Sequence, residues 1–288
     1  MNSTAIPWVL AARPKTLTAA FVPVIVGTFM AFPAIDWMIT LYALLAAMFI
    51  QIATNLINDA LDFKKGADTA ERIGPMRVTQ MGLLTMRQVM AAGIGCLVLS
   101  LLCSIPLIER GGLVVVLIAI TSVICAYLYT GGSYPLAYVG LGELFVMIFF
   151  GWVSTATVYY LQTGNWNWHS LLAGTQIGFL SVVMIAINNL RDRVQDAKVH
   201  KRTLAVRFGE EEAKVCIVCY LMAPYLLGIL WGKTAAGLLP WLTFPLACFI
   251  GIQINKNAPG RVYNQYLGLA ALLHLLFGIT LILGFVLS

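Results

Sequence analysis

Charge is what this sequence has least of. Only 10% of its 288 residues are Asp, Glu, Lys or Arg, where a soluble domain carries about 25%, and 60% are hydrophobic. So few charged groups cannot cover a water-facing surface of this size, and so apolar a chain cannot stay disordered. Histidine is nearly missing, with 3 residues, and cysteine is sparse. Cys96, Cys103, Cys125, Cys216, Cys219 and Cys248 all stand in apolar runs. Cys216 and Cys219 make a lone CxxC without a second pair, so they read as buried small hydrophobes and not as a metal or redox site. No basic run precedes the first apolar residues, and no removable signal peptide is expected.

What is there comes in long apolar blocks. A helix needs about 20 apolar residues to cross a bilayer core. Nine blocks reach that length, at 17–35, 38–57, 88–108, 113–130, 142–161, 170–189, 215–231, 235–254 and 265–287. The expected fold is all-α: a polytopic membrane bundle of nine transmembrane helices, one domain over 1–288, with charged loops near 58–87 and 190–214. With the amino terminus inside, every Lys and Arg falls on the inner side except Arg110 and Lys233. The positive-inside rule then predicts a cytoplasmic amino terminus and an external carboxyl terminus; the expected location is the inner membrane. The net charge of +6 is therefore read as orientation against the lipid bilayer, and no nucleic-acid partner is expected. Trp166 and Trp168 suit an aromatic belt on the outer side. The pairs Gly174/Gly178 and Gly228/Gly232 suit close helix packing, and His274, alone in the last block, suits a helix–helix hydrogen bond.

The acids collect on the inner side as well, in two clusters. One holds Asn55, Asn58, Asp59, Asp62 and Asp68; the other holds Asn188, Asn189, Asp192 and Asp196. Each closes an even-numbered block and is followed by basic residues, which hints at an internal duplication. Asn58 and Asp62 are i, i+4, as are Asn188, Asp192 and Asp196, so each set shares one face of a helix leaving the membrane. Mg²⁺ prefers hard oxygen ligands and commonly takes one or two carboxylates together with substrate phosphates. Two facing carboxylate surfaces could hold such ions against a diphosphate, with Arg and Lys on the outer phosphate oxygens. A solvated polar loop is the bland alternative for either cluster alone. A transporter is the alternative from another class, but its ion sites lie near the midplane, and here the block centres are almost free of charge.

At these residues the sequence resembles the UbiA superfamily of intramembrane prenyltransferases. Asn58, Asp62 and Asp68 match its NxxxDxxxxxD-type motif, and Asp192 with Asp196 matches its DxxxD motif. Arg13 to Leu17, Arg72-Ile73-Gly74-Pro75-Met76-Arg77, Tyr129 to Gly132, Tyr138 to Glu143 and Lys201 to Gly209 are similar to the branch that prenylates 1,4-dihydroxy-2-naphthoate for menaquinone. One departure is Glu143, where relatives often have Asp; the charge is kept.

The resemblance implies an enzyme that moves a polyprenyl group from polyprenyl diphosphate to 1,4-dihydroxy-2-naphthoate with loss of CO2, giving demethylmenaquinone. It implies Mg²⁺ on Asp62, Asp68, Asp192 and Asp196, with Asn58 and Asn188 as neutral donors and Asp59 as an extra ligand. Arg13, Arg72, Arg77, Arg191 and Lys201 would meet the diphosphate, with Asp62, Asp192, Arg72 and Lys201 carrying the catalysis. Phe149, Phe150, Trp152, Tyr159 and Tyr160 are candidates to shield an allylic cation, against ordinary packing. Another ring acceptor, 4-hydroxybenzoate or homogentisate, stays open, because no residue spacing selects the ring.

Overall fold

The computed structural model describes residues 5–66, 73–75 and 77–288. Among these, every regular element is helical: α1 (Ala5–Ala12), α2 (Thr18–Phe29), α3 (Trp37–Lys64), α4 (Met86–Leu128), α5 (Gly142–Met147), α6 (Ser154–Thr163), α7 (Trp168–Arg191), α8 (Arg193–Lys198), α9 (Leu204–Phe208), α10 (Glu210–Gly228), α11 (Ala235–Leu238), α12 (Phe244–Lys256) and α13 (Tyr263–Leu287). The π-helical turn Ile148–Val153 joins α5 to α6 in one span.

Start signals are local and readable. Asp36 caps α3 by accepting the backbone N–H of Met38 at 2.9 Å and of Ile39 at 3.2 Å. Thr85 and Gln88 form a reciprocal capping box that opens α4.

Seven helical stretches among the described residues are long and apolar enough to cross a bilayer, or eight if the bent pair Ile6–Thr16 and Thr18–Phe29 is one span. The expected count of nine differs at α4, a single 43-residue element where two spans, 88–108 and 113–130, were expected. Its backbone breaks at Gly112, with φ 66° and ψ −153°, a conformation open to glycine. Leu97 and Ala126 then pack in one cluster with Ala53 and Ile57 of α3. A straight helix would hold them about 43 Å apart, so α4 is a hairpin folded at Gly112.

Helix α7 is the central helix. Burial covers 78% of its apolar window, against 22–44% in the other six spans. Gly174 and Gly178 let Gly151 of the π-helical turn approach in backbone contact, as the small-residue pair predicts. Ser181 and His274 Nε2, 3.2 Å apart, join α7 to α13. Large apolar side chains on the outer faces, among them Leu113, Leu226 and Ile229, are exposed, as lipid contact requires. All six cysteines are free thiols; none is fully buried and Cys219 is exposed, so they face outward more than the buried reading implies.

The ends of the bundle differ. At one, Gln162 Nε2 donates to the Asp36 carbonyl at 3.0 Å, Arg110 Nε donates to the Leu161 carbonyl at 3.2 Å, and Trp166 stacks on Tyr160 at 4.5 Å. Trp168, His169 and Trp231, beside Lys233, complete this end. Asp62 lies 26 residues up α3, about 39 Å away along the helix, at the other end.

Candidate functional site

Asn58 and Asp62, one turn apart on α3, both line a polar chamber of about 60 Å³. Asp62 is buried and fully engaged: Oδ2 accepts from Arg77 Nη2 at 3.0 Å, and Oδ1 accepts from the Tyr138 hydroxyl at 2.9 Å. The Asn58 side-chain carbonyl accepts from the Thr130 hydroxyl. Asp59 faces elsewhere. Its two oxygens accept the backbone N–H groups of Val78 and Thr79, each at 3.2 Å, which pins the segment that delivers Arg77. That occupancy leaves Asp59 a structural anchor in place of the extra ligand expected for it. Asp68 and Arg72 lie outside the described residues.

The second cluster is built differently. Asp192 sits at the junction of α7 and α8 with φ −93° and ψ 5°, so the helical face expected for Asn188, Asp192 and Asp196 is interrupted there. Arg191 donates to Asp192 from Nε at 2.7 Å and from Nη2 at 2.6 Å. It also donates to Asn188 Oδ1 at 2.7 Å and to Asn264 Oδ1 at 2.8 Å. Its guanidinium is wholly buried and lines neither cavity. In this structure it braces the cluster; the expected diphosphate contact would need those bonds to break. Gly74 lies on that guanidinium, where a Cβ would come within 2.5 Å of Nη2, and Asn264 Nδ2 holds the Ile73 carbonyl at 3.1 Å. The motif stretch 73–75 is thereby fixed over the second cluster.

Lys201 connects the clusters. Its Nζ donates to Asp196 Oδ1 at 3.3 Å. Burial pushes its ammonium down, but Asp196, Asp62 and Asp192 outweigh burial, and its pKa is raised. Burial pushes the Asp196 carboxyl up to about 6, opposed by Lys201 and reinforced by Asp192 and Asp62. Carboxylates from both clusters thus act on one another. Lys65 stands over the Tyr138 ring at 4.1 Å; burial lowers its pKa, Asp62 raises it and Lys201 lowers it again.

Arg13 also reaches the chamber. It has φ 52° and ψ 70°, a left-handed conformation uncommon outside glycine and frequent at functional sites. Side chains of α3 hold it there. Asn55 Nδ2 donates to the Ala12 carbonyl at 2.9 Å and to Thr16 Oγ1 at 3.1 Å, and Gln51 Nε2 donates to the same Oγ1 at 3.3 Å. Asn55 is therefore an anchor.

Below the chamber lies an apolar tunnel of about 280 Å³. The two share Arg13, Asn58, Tyr129, Ile185 and Asn188 as a collar. The tunnel runs past Phe145, Phe149 and Phe150 and follows α3 down to Ala43, about 22 Å along that helix. Of the five aromatics singled out, only Phe149 and Phe150 line it. Trp152 Nε1 donates outward to Thr175 at 2.8 Å, and Tyr160 is at the far end under Trp166.

The site therefore gathers Arg13, Asn58, Asp62, Arg77, Asn188 and Lys201 around one chamber; Asp192 and Asp196 do not line it, and Asp196 is tied to it through Lys201. Tyr138, Tyr129, Thr130, Gln51 and Asn264 were missed as functional positions. Tyr129 and Tyr138 stand in motif stretches, whereas nothing local marks Gln51 or Asn264.

For Mg²⁺ the donor set fits in chemistry. The oxygens are hard, and Asp196 Oδ2 is buried with no hydrogen-bond partner. Among the described residues no three His, Cys, Asp or Glu stand close enough to hold a metal unaided. A cation that takes part of its shell from phosphate does not require them to.

Residues 20–261 match the UbiA prenyltransferase family. The 1,4-dihydroxy-2-naphthoate octaprenyltransferase of Escherichia coli K12 is 38% identical over 231 residues, 75% of this chain and 72% of that protein. The protein of the same name from Haemophilus influenzae is 32% identical over 96% of both chains. In fold, the chain is similar to a UbiA homologue from Archaeoglobus fulgidus bound to DMAPP and Mg²⁺, with TM-score 0.65, 16% identity, and 96% and 99% of the two chains covered. The apo UbiA homologue from Aeropyrum pernix K1 gives TM-score 0.72 at 14% identity, over 93% of this chain and 97% of that one. With the sequence match spanning most of the helices described above, the chain belongs to the UbiA prenyltransferase family.

Proposed function

We propose that the protein transfers a polyprenyl group from polyprenyl diphosphate to 1,4-dihydroxy-2-naphthoate, releasing diphosphate and CO2 and giving demethylmenaquinone, in quinol form, for menaquinone synthesis. The observation that carries this reading is the joined cavity: a cation-rich polar chamber opening through a collar onto an apolar tunnel. A diphosphate and its polyprenyl tail need those two environments in that order. The names of the relatives support the ring acceptor and the octaprenyl donor. The placement of the basic residues supports nine crossings, with the chamber at the cytoplasmic face of the inner membrane.

Arg13, Arg77 and Lys201 would bind and neutralise the diphosphate and Tyr129 would donate to its oxygens, while Tyr138 holds Asp62. Asp62, Asp192 and Asp196, with Asp68, would hold Mg²⁺, with Asn58 and Asn188 as neutral donors. The bound ion supplies charge stabilisation to the departing diphosphate. The allylic C–O bond breaks with its electron pair on the diphosphate. The tunnel excludes water from the carbon left behind, and Phe145 and Phe149, stacked at 6.0 Å, wall its upper end. The electron-rich ring forms the new carbon–carbon bond, and its carboxylate leaves as CO2 with the bonding pair retained by the ring.

The test is a reconstituted assay. Vesicles bearing the purified protein receive labelled octaprenyl diphosphate, Mg²⁺ and one of 1,4-dihydroxy-2-naphthoate, 4-hydroxybenzoate or homogentisate. Prenylated product and CO2 should appear with the first acceptor and vanish with EDTA. Product with another acceptor alone would reassign the ring; EDTA-insensitive solute uptake without product would favour transport.

A further inference from the structure

We infer that Asn189, oriented by the buried Glu143, is the contact that reads a ring hydroxyl of the aromatic acceptor and so selects the acceptor. This deepens the function proposed above and rests on it. Glu143 is in the first turn of α5 and only 6% exposed. Its Oε1 accepts from Asn189 Nδ2 at 2.9 Å, while its Oε2 is buried with no hydrogen-bond partner. A buried carboxyl left half-satisfied is costly and calls for a reason. By accepting from Nδ2, the carboxyl oxygen fixes the NH2 end of the Asn189 amide toward Glu143 and turns the carbonyl away. Asn189 lines the polar chamber; Glu143 does not.

The other groups of the chamber say what that carbonyl addresses. Arg13, Arg77, Lys201 and Tyr129 bring donors, while the hydroxyls of Tyr138 and Thr130 are spent on Asp62 and Asn58. The acceptors are already engaged: Asp62 with Arg77 and Tyr138, Asn58 with Thr130, Asn188 with Arg191. An ionised diphosphate brings acceptors only and has no use for a further carbonyl. A hydroxylated ring brings a donor. A site that hydrogen-bonds a substrate hydroxyl discriminates strongly against the analogue lacking it, because the buried partner is left unpaired. Asn189 is then a substrate contact, and Glu143 is a positioning residue that acts through it.

Wild type, Asn189→Leu, Glu143→Gln and Glu143→Asp are compared in vesicles. The readouts are KM for 1,4-dihydroxy-2-naphthoate, KM for prenyl diphosphate, the Mg²⁺ half-saturation point, and inhibition by the O-methylated acceptor. Asn189→Leu should raise the acceptor KM by about 10-fold or more, the scale of one buried hydrogen bond. Glu143→Gln, whose amide no longer fixes the flip, should give a smaller shift of the same kind, and Glu143→Asp should restore most of it. Donor KM and Mg²⁺ dependence should stay put, and the preference for free over methylated hydroxyl should collapse in Asn189→Leu. Should Asn189→Leu fail to bind prenyl diphosphate, the Glu143 pair decides alone. Equal shifts in both KM values, a shifted Mg²⁺ requirement, or an intact hydroxyl preference overturns the assignment while wild-type turnover leaves the function standing. A wild type that prenylates no hydroxylated ring overturns both.

Discussion

In the first acidic cluster the helix continues: α3 carries Asn58 and Asp62 on one face through to Lys64, and both side chains reach the chamber. In the second the helix stops at Arg191, and the carboxylate of Asp192 is gripped by the buried guanidinium beside it. Asn58 to Asp62 and Asn188 to Asp192 have the same spacing, yet both members of the first pair line the chamber, whereas in the second only Asn188 does and Asp192 is held in a brace. The neighbouring residue explains the difference. Asp62 is followed by Phe63 and draws its cation from Arg77, 15 residues on, whereas Asp192 has its cation adjacent in the chain.

The sharpest way to break this comparison is to delete each carboxylate in turn. Asp62→Ala should lower turnover by at least about 10²-fold, the scale of one electrostatic stabiliser. It also breaks a buried pair with Arg77, so stability should fall, but by less than at Asp192, because Arg77 borders the chamber, where water can reach it. Asp192→Ala should lose activity on that scale and stability too. It strands Arg191 in the interior, and breaking a buried pair from one side costs about 3–5 kcal/mol. The double change Arg191→Met with Asp192→Leu should recover most of that stability in a detergent melt while leaving turnover absent. Recovery of turnover would show that the second carboxylate only braces.

A smaller effect is expected at Asp59→Asn. One oxygen still accepts, one backbone N–H loses its partner, and stability should fall by about 1–3 kcal/mol. Turnover should fall with it, as Arg77 loosens. The smallest is Tyr138→Phe. It removes one hydrogen bond to Asp62, of order 1 kcal/mol or roughly fivefold in turnover, and leaves Arg77 in place.

The helical class, most span boundaries and the convergence of the clusters were legible because apolar block length and charge side are properties of single segments. Asn58 and Asp62 could be named from their spacing in a polar stretch beside an apolar block, and Arg77 and Lys201 from the motif stretches that carry the resemblance. The roles of Asp59, Asn55 and Arg191 were not legible. Each depends on whether a carboxylate, amide or guanidinium meets a backbone group or side chain brought from elsewhere by packing, as Asn264 is brought to Arg191 across 73 residues. The hairpin at Gly112 was legible as two blocks, but the glycine that turns the chain is one of 25 and carries no mark of its own.

The collar shared by chamber and tunnel has a consequence for donors of unequal size. On the proposed chemistry the bond that breaks lies at that ring of five side chains, and everything beneath it must be filled by hydrocarbon. A truncated isoprenoid would leave vacant depth along α3 where solvent could follow. Its penalty would then surface as wasted prenyl alcohol more than as weak capture, making tail size a determinant of fidelity.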